Sequence, residues 1–393
     1  MNREKAGSGL FFIALTIELL ILLVDKSAIT NPIEGRLFQI TFLLFACKVC
    51  LTKYTAAEWT LIALFEMIGL ISYLVTGRNE IIRIVTMIAA CRDIGEKTVF
   101  SYMFRVVSAG CALIVLLSLF GVLGTVKMTA VFRADVEETR YCLGMGHPNS
   151  LHCMFFMLVL LFLYLYGSRM KKYWFGVLFL ANILVFLLTG SKTGMAVTAF
   201  AVLMAAVLVS FPGLQEKKLA YGLTAALLLG CVAVAWFAAA VSVKVPFSPF
   251  LGKIDRLLSG RIINLYYNST PQAGTLRTWR LFGVPENEYH FDLGWVRLFY
   301  WYGIIPALLF ILVLFLLIWQ LYRERQYMGV AVLASLFLYT LVEAHIISVY
   351  LARDYTLFLI GVRFGALLHA DKGKRRYFFQ IPAALFWKTE DRA

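Results

Sequence analysis

The chain has 393 residues, of which 61% are apolar and 15% charged, and its mean hydropathy is +0.79. Soluble domains are about half apolar and a quarter charged, so this composition excludes a soluble globular enzyme, a disordered chain and a disulfide-stapled secreted module. The net charge of +14 would suggest nucleic acid in a soluble protein. In a membrane protein it reflects Lys and Arg held in cytoplasmic loops. No nucleic acid is expected as a partner, and the lipid bilayer is.

A membrane span needs roughly 20 apolar residues to cross roughly 30 Å of hydrocarbon. Twelve apolar segments follow in chain order: 10–24, 37–51, 59–76, 80–91, 106–123, 150–167, 173–189, 194–211, 219–240, 294–320, 328–347 and 354–370. They predict an all-α, polytopic integral membrane protein of about 12 transmembrane helices, forming one transmembrane domain over 1–393. The first segment follows Arg3 and Lys5 like a signal peptide, but no small-x-small cleavage site succeeds it and it contains Glu18, so it reads as a retained span. The fourth is short and carries Arg83.

An even number of spans puts both termini on one side. With that side cytoplasmic, 20 of the 37 cations lie inside, 14 outside, and Arg83, Arg297 and Arg363 within spans. The bias supports both termini on the cytoplasmic side. The exception is the large outer loop 241–293, between helices nine and ten. It holds Lys244, Lys253, Arg256, Arg261, Arg277 and Arg280, with eight aromatics: Phe247, Phe250, Tyr266, Tyr267, Trp279, Phe282, Tyr289 and Phe291. A loop this long is either a solvated connection or a site or lid.

The seven cysteines are odd in number and sit mostly in apolar runs. Cys47 and Cys50 form a CxxC without a second pair, so buried small hydrophobes explain them better than zinc or redox chemistry. Glu66, Arg83, Glu343 and Arg363 are costly in lipid and are expected to face protein. Glu66–Arg83 is one candidate pair, and Glu343 with His345 would border an outer cavity. No repeat of 20–50 residues is visible, which disfavours repeat-built transporters. Asn268-Ser269-Thr270 fits a glycosylation sequon and carries no weight here.

Four stretches carry candidate chemistry, all on the outer face of this topology. Gly144-Met145-Gly146-His147-Pro148-Asn149 reads as a loop-to-helix turn, which accounts for everything but His147. Thr189-Gly190-Ser191-Lys192-Thr193-Gly194 sets Lys192 beside hydroxyls and helix N-terminal amides, an anion site without P-loop glycine spacing. Leu258-Ser259-Gly260-Arg261, with Arg277 and Arg280 beyond, offers guanidiniums for phosphate oxygens. Tyr289-His290-Phe291-Asp292-Leu293-Gly294-Trp295 is either an interfacial helix cap or the source of a general base.

In this order and on one face, the four stretches resemble the O-antigen ligase and polymerase superfamily, nearest to the Wzy-type capsule or exopolysaccharide repeat-unit polymerases of Gram-positive bacteria. The likeness covers about 145–310, from GMGHPN through TGSKTG and LLSGR to FDLGWVRLFYWYGIIP. The family's turn usually has Arg where Lys192 stands, and its SGR arginine matches Arg261. In the ligase branch a catalytic His stands about eleven residues before a Gly. Here that position is Asp292, counted from Gly303, which favours a polymerase. His290 lies two residues away, so the base is Asp292 or His290.

The resemblance implies an outer-face glycosyltransferase. It would join undecaprenyl-diphosphate-linked oligosaccharides, donor to acceptor hydroxyl, with inversion and without metal or cofactor. Lys192 and Arg261 would neutralise the leaving diphosphate. Arg277, Arg280, Arg297, His147, Asn149 and Glu343 would bind substrate, and loop aromatics would stack on sugars. A flippase and a chain-length regulator, the latter near the basic tail from Lys372 to Arg376, are further conceivable partners. The alternatives are a ligase moving finished glycan to an acceptor, a lipid-linked glycan flippase or transporter, and a scaffold subunit.

Overall fold

The protein is described from a computed structural model. The structure describes residues 3–133, 136–258, 260–267, 272–285, 291–346 and 348–368. His290, Tyr289, Ser259, the sequon and the basic tail lie outside them.

Each of the twelve apolar segments contains a helix. They are α1 (Arg3–Lys26), α2 (Glu34–Leu51), α3 (Ala56–Thr76), α4 (Glu80–Ala90), α5 (Glu96–Leu119), α6 (Pro148–Tyr166), α7 (Tyr173–Thr189) and α8 (Lys192–Ser210). After the short α9 (Pro212–Glu216) comes α10 (Lys218–Val241). The long loop carries α11 (Pro249–Leu257) and α12 (Asn264–Tyr267), followed by α13 (Gly294–Arg297), α14 (Ile304–Arg323), α15 (Tyr327–Val342) and α16 (Tyr355–Leu368).

Seven of these, α1, α3, α5, α6, α8, α10 and α14, are long and apolar enough to cross a membrane by length and composition. α7, α15 and α16 are apolar but shorter. α4 has eleven residues and, at about 1.5 Å per residue, covers roughly half of the hydrocarbon thickness. The tenth segment is not one helix. A π-helical turn, Leu298–Tyr302, follows α13, and Gly303 breaks the chain before α14. The eleventh ends early, so Glu343 and His345 stand beyond α15.

The fold is not purely helical. Lys127–Arg133 (β1) and Val136–Tyr141 (β2) form an antiparallel hairpin between α5 and α6. Facing Thr129 and Thr139 share a hydroxyl hydrogen bond of 2.9 Å, the kind of cross-strand pair that steadies a small sheet.

α15 sits centrally, packed by α6, α8, α10, α13 and α14. It is apolar on all sides and almost wholly buried, as such a helix must be. Polar side chains gather at the two ends of the bundle. At one end the α1–α2 turn meets the GMGHPN turn, with Ala28 N–H donating to Gly144 O and Gly146 N–H to Lys26 O, both 3.1 Å. At the other, Lys48 Nζ donates to Arg92 O at 2.9 Å, and Arg92 pairs with Glu58 at 3.2 Å. There too, buried Arg363 pairs with Glu96 (2.8 Å) and Glu324 (3.0 Å), while Tyr164 donates to Glu96. This knot joins α5, α6, α14 and α16.

The expected Glu66–Arg83 pair does not form. Arg83 pairs with Glu18 of α1 at 3.3 Å, and Glu66 accepts from Thr86 instead. α4 packs on α2 as well as α3, so Arg83 reaches α1 and lies over the Phe38 ring at 3.8 Å. All seven cysteines are free thiols, five of them buried.

Candidate functional site

The site grows from a turn. α11 is capped by Ser248, whose hydroxyl accepts from Leu251 N–H. Near its far end, buried Asp255 turns one carboxylate oxygen back to accept the N–H groups of Ile262 (2.9 Å) and Ile263 (3.2 Å). That double bond to backbone fixes the LSGR turn and aims Arg261. Arg261 Nη2 then lies 3.1 Å from Glu343 Oε1 and 3.4 Å from Asp292 Oδ2. Three sequence-predicted residues from distant segments thus share one contact. The guanidinium is largely buried, Glu343 is partly buried and Asp292 is mostly exposed.

Behind Glu343 the chain returns through a 3₁₀ turn, Leu351–Arg353. Arg353 Nε donates to Nδ1 of fully buried His345 at 3.0 Å. An acceptor at Nδ1 puts the proton of a neutral ring on Nε2. Sequence reading had not placed Arg353 in the site. Its only signal was a cation in a short connection next to Glu343.

The stretch after Asp292 is pinned from both sides. Trp295 Nε1–H donates to Phe337 O of α15 at 3.1 Å. Arg297 Nη2 donates to Phe291 O at 2.8 Å and lies over Trp301, 4.2 Å from its centroid. Arg78, from the α3–α4 turn, lies over the same ring at 4.0 Å. Gly303 has φ +95°, and a Cβ there would meet Gly283 N at 2.3 Å. Only a glycine pair permits this backbone contact, which anchors the loop: Ile304 N–H donates to Arg280 O at 2.9 Å.

Not all loop aromatics are free. Trp279 stacks on Phe299 at 4.6 Å with an interplanar angle of 3°, stands edge-on to Trp236, and donates through Nε1 to Gly274 O. Trp279 and Phe291 are buried, whereas Phe250 and Tyr267 are exposed.

The other two motifs have structural explanations. His147 caps α6, with Nδ1 accepting from Asn149 N–H at 3.1 Å and Pro148 in the first turn. Burial and the nearby Arg140 guanidinium hold its imidazole below the usual range, so the capping lone pair persists at neutral pH. In the second turn, Gly190 ends α7 in the left-handed conformation and the Ser191 hydroxyl caps α8 by accepting from Gly194 N–H. Thr189 and Asn182 meet the buried His152 ring at 3.1 Å and 3.0 Å, a residue not singled out from sequence. Lys192 stays exposed at the head of α8. Among the described residues, the side chains of Lys192, Arg277 and Arg280 make no hydrogen bond or ion pair and are not brought to Arg261. Asn149 is also exposed.

Beneath the site an apolar cleft of about 420 Å³ lies between α3, α4, α14 and α16. Leu298 and Tyr302, from the stretch that begins at Asp292, form part of its wall, with Ile81, Leu309 and Ile360. No cluster of three metal-ligating side chains is found among the described residues. No family model, curated protein or solved structure matches the chain.

Proposed function

We propose that the protein is a glycosyltransferase of the outer membrane face that polymerises undecaprenyl-diphosphate-linked oligosaccharide repeat units into a capsular or extracellular polysaccharide. The proposed orientation is about twelve spans with both termini cytoplasmic. The observation that carries the reading is Arg261 held against Asp292 and Glu343, at the same end of the bundle as the GMGHPN and TGSKTG turns. A cation beside a carboxylate is what displacement of a lipid diphosphate by a hydroxyl requires. Arg261 serves the leaving group, Asp292 takes the acceptor proton, and Arg297 and exposed Lys192, Arg277 and Arg280 supply positive field to draw the anionic lipid head. The apolar cleft suits part of a polyprenyl chain.

The test is mass spectrometry of lipid-linked glycans from cells lacking the gene, complemented with wild type or Arg261→Ala. Single repeat units accumulate in the deletion and in the variant, and wild type restores polymer. Long lipid-linked polymer in the deletion would identify a ligase instead. An unchanged glycan with Arg261→Ala at normal protein level would leave a scaffold.

A further inference from the structure

Arg261 is not waiting for an anion; it already holds two. One nitrogen, Nη2, serves both Glu343 Oε1 at 3.1 Å and Asp292 Oδ2 at 3.4 Å, so the guanidinium bridges two like charges that the packing of Gly294 and Trp295 on the end of α15 brings together. The two contacts are unequal. Glu343 is the shorter and is shielded, at 23% exposure; Asp292 is the longer and is 56% exposed. An exposed ion pair of this kind is weak. A diphosphate carries more charge than a carboxylate and matches the guanidinium fork.

We propose that Arg261 is a substrate-operated latch: it holds Asp292 while the site is empty, and an arriving lipid diphosphate takes its place on the guanidinium and frees the carboxylate to act as general base. This rests on the glycosyltransferase reading. Asp292 gives way before Glu343 because its contact is longer and wetter. Glu343 stays to orient the guanidinium, and the Asp255 hooks on Ile262 and Ile263 keep the turn in place throughout. Without its cation, Asp292 Oδ2 is free to accept a hydrogen bond from the acceptor hydroxyl. In the transfer, the acceptor oxygen bonds to the anomeric carbon and the carbon–oxygen bond to the diphosphate breaks. The electron pair leaves with the lipid diphosphate, and the hydroxyl proton passes to Asp292, which later loses it to water. The latch keeps that oxygen occupied until a donor is bound.

The latch makes an unusual prediction: removing the base tightens donor binding. Full-length protein in lipid nanodiscs is titrated with farnesyl diphosphate. Asp292→Asn, an isosteric change at an exposed side chain, binds about twofold to fivefold more tightly than wild type, and Arg261→Gln loses binding. In parallel, the wild-type Asp292 carboxylate is labelled with a water-soluble carbodiimide and quantified by peptide mass spectrometry. Labelling rises when the diphosphate is added. Equal or weaker binding by Asp292→Asn overturns the latch, and so does tighter binding with no change in labelling, since that is only a longer-range charge effect. In either case saturable binding by wild type leaves the glycosyltransferase reading standing. If wild type does not bind the diphosphate at all, both fall.

Discussion

Buried Glu18, Arg83, Glu58, Arg92 and Arg363 are each ion-paired, and each pair was chosen by packing that sequence does not display. Glu18 is 1% exposed; it accepts from Thr41 at 2.6 Å and pairs with Arg83. Removing one partner of such a pair leaves a buried charge uncompensated, at a cost of about 3–5 kcal/mol. Glu18→Gln is therefore expected to lower the thermal unfolding midpoint of the detergent-solubilised protein clearly, while Glu66→Gln, at a carboxylate that accepts from the Thr86 hydroxyl, lowers it much less. From sequence, Glu66 and Arg83 are expected to face protein. The sequence did not show their partners, because Glu66 and Arg83 are near in the chain whereas Glu18 and Arg83 meet only once α4 packs across α2. The same limit applied to Arg353 and His152, whose significance lies in contacts with Glu343's neighbourhood and with the α7–α8 turn. Arg261, Asp292 and Glu343 were legible singly, as charges at span mouths; their shared contact was not.

At the scale of elements, each of the twelve apolar segments holds a helix, seven of them long and apolar enough to cross a membrane, because apolar runs of that length leave the backbone few other ways to bond itself. Hydropathy missed two things that depend on backbone geometry. The break at Gly303 is hidden inside a continuous apolar run, and the β1–β2 hairpin lies in polar sequence. It also treated the loop aromatics as one class. The structure divides them: Trp279 closes a stack with Phe299 and Trp236, while Tyr267 is 65% exposed. Trp279→Ala should cost about 3 kcal/mol through lost packing and lower the yield of folded protein, measured by size-exclusion chromatography. Tyr267→Ala should leave that yield unchanged, and any effect it has will be on turnover.

For the whole molecule, the motif turns, the hairpin and the long loop occupy one end of the bundle, and the Arg363 and Arg92 knots the other. The proposed orientation is tested by single cysteines in a cysteine-free background. An impermeant maleimide should label Lys127→Cys and Lys253→Cys in intact cells, and Lys171→Cys only after permeabilisation; the reverse pattern would put Arg261 in the cytoplasm and end the lipid-diphosphate reading. The same arrangement constrains how the protein is made. Arg261 meets Glu343 across 82 residues of sequence, and α15, which fills the space between α8 and α10, leaves the ribosome after the helices it packs against. Until then a nascent chain carries a loop arginine without its carboxylate partner and a bundle without its central helix. A prematurely terminated chain is accordingly not a slow enzyme but an unfilled bundle, a substrate for membrane proteases, and nonsense mutations anywhere before α15 should behave as complete nulls.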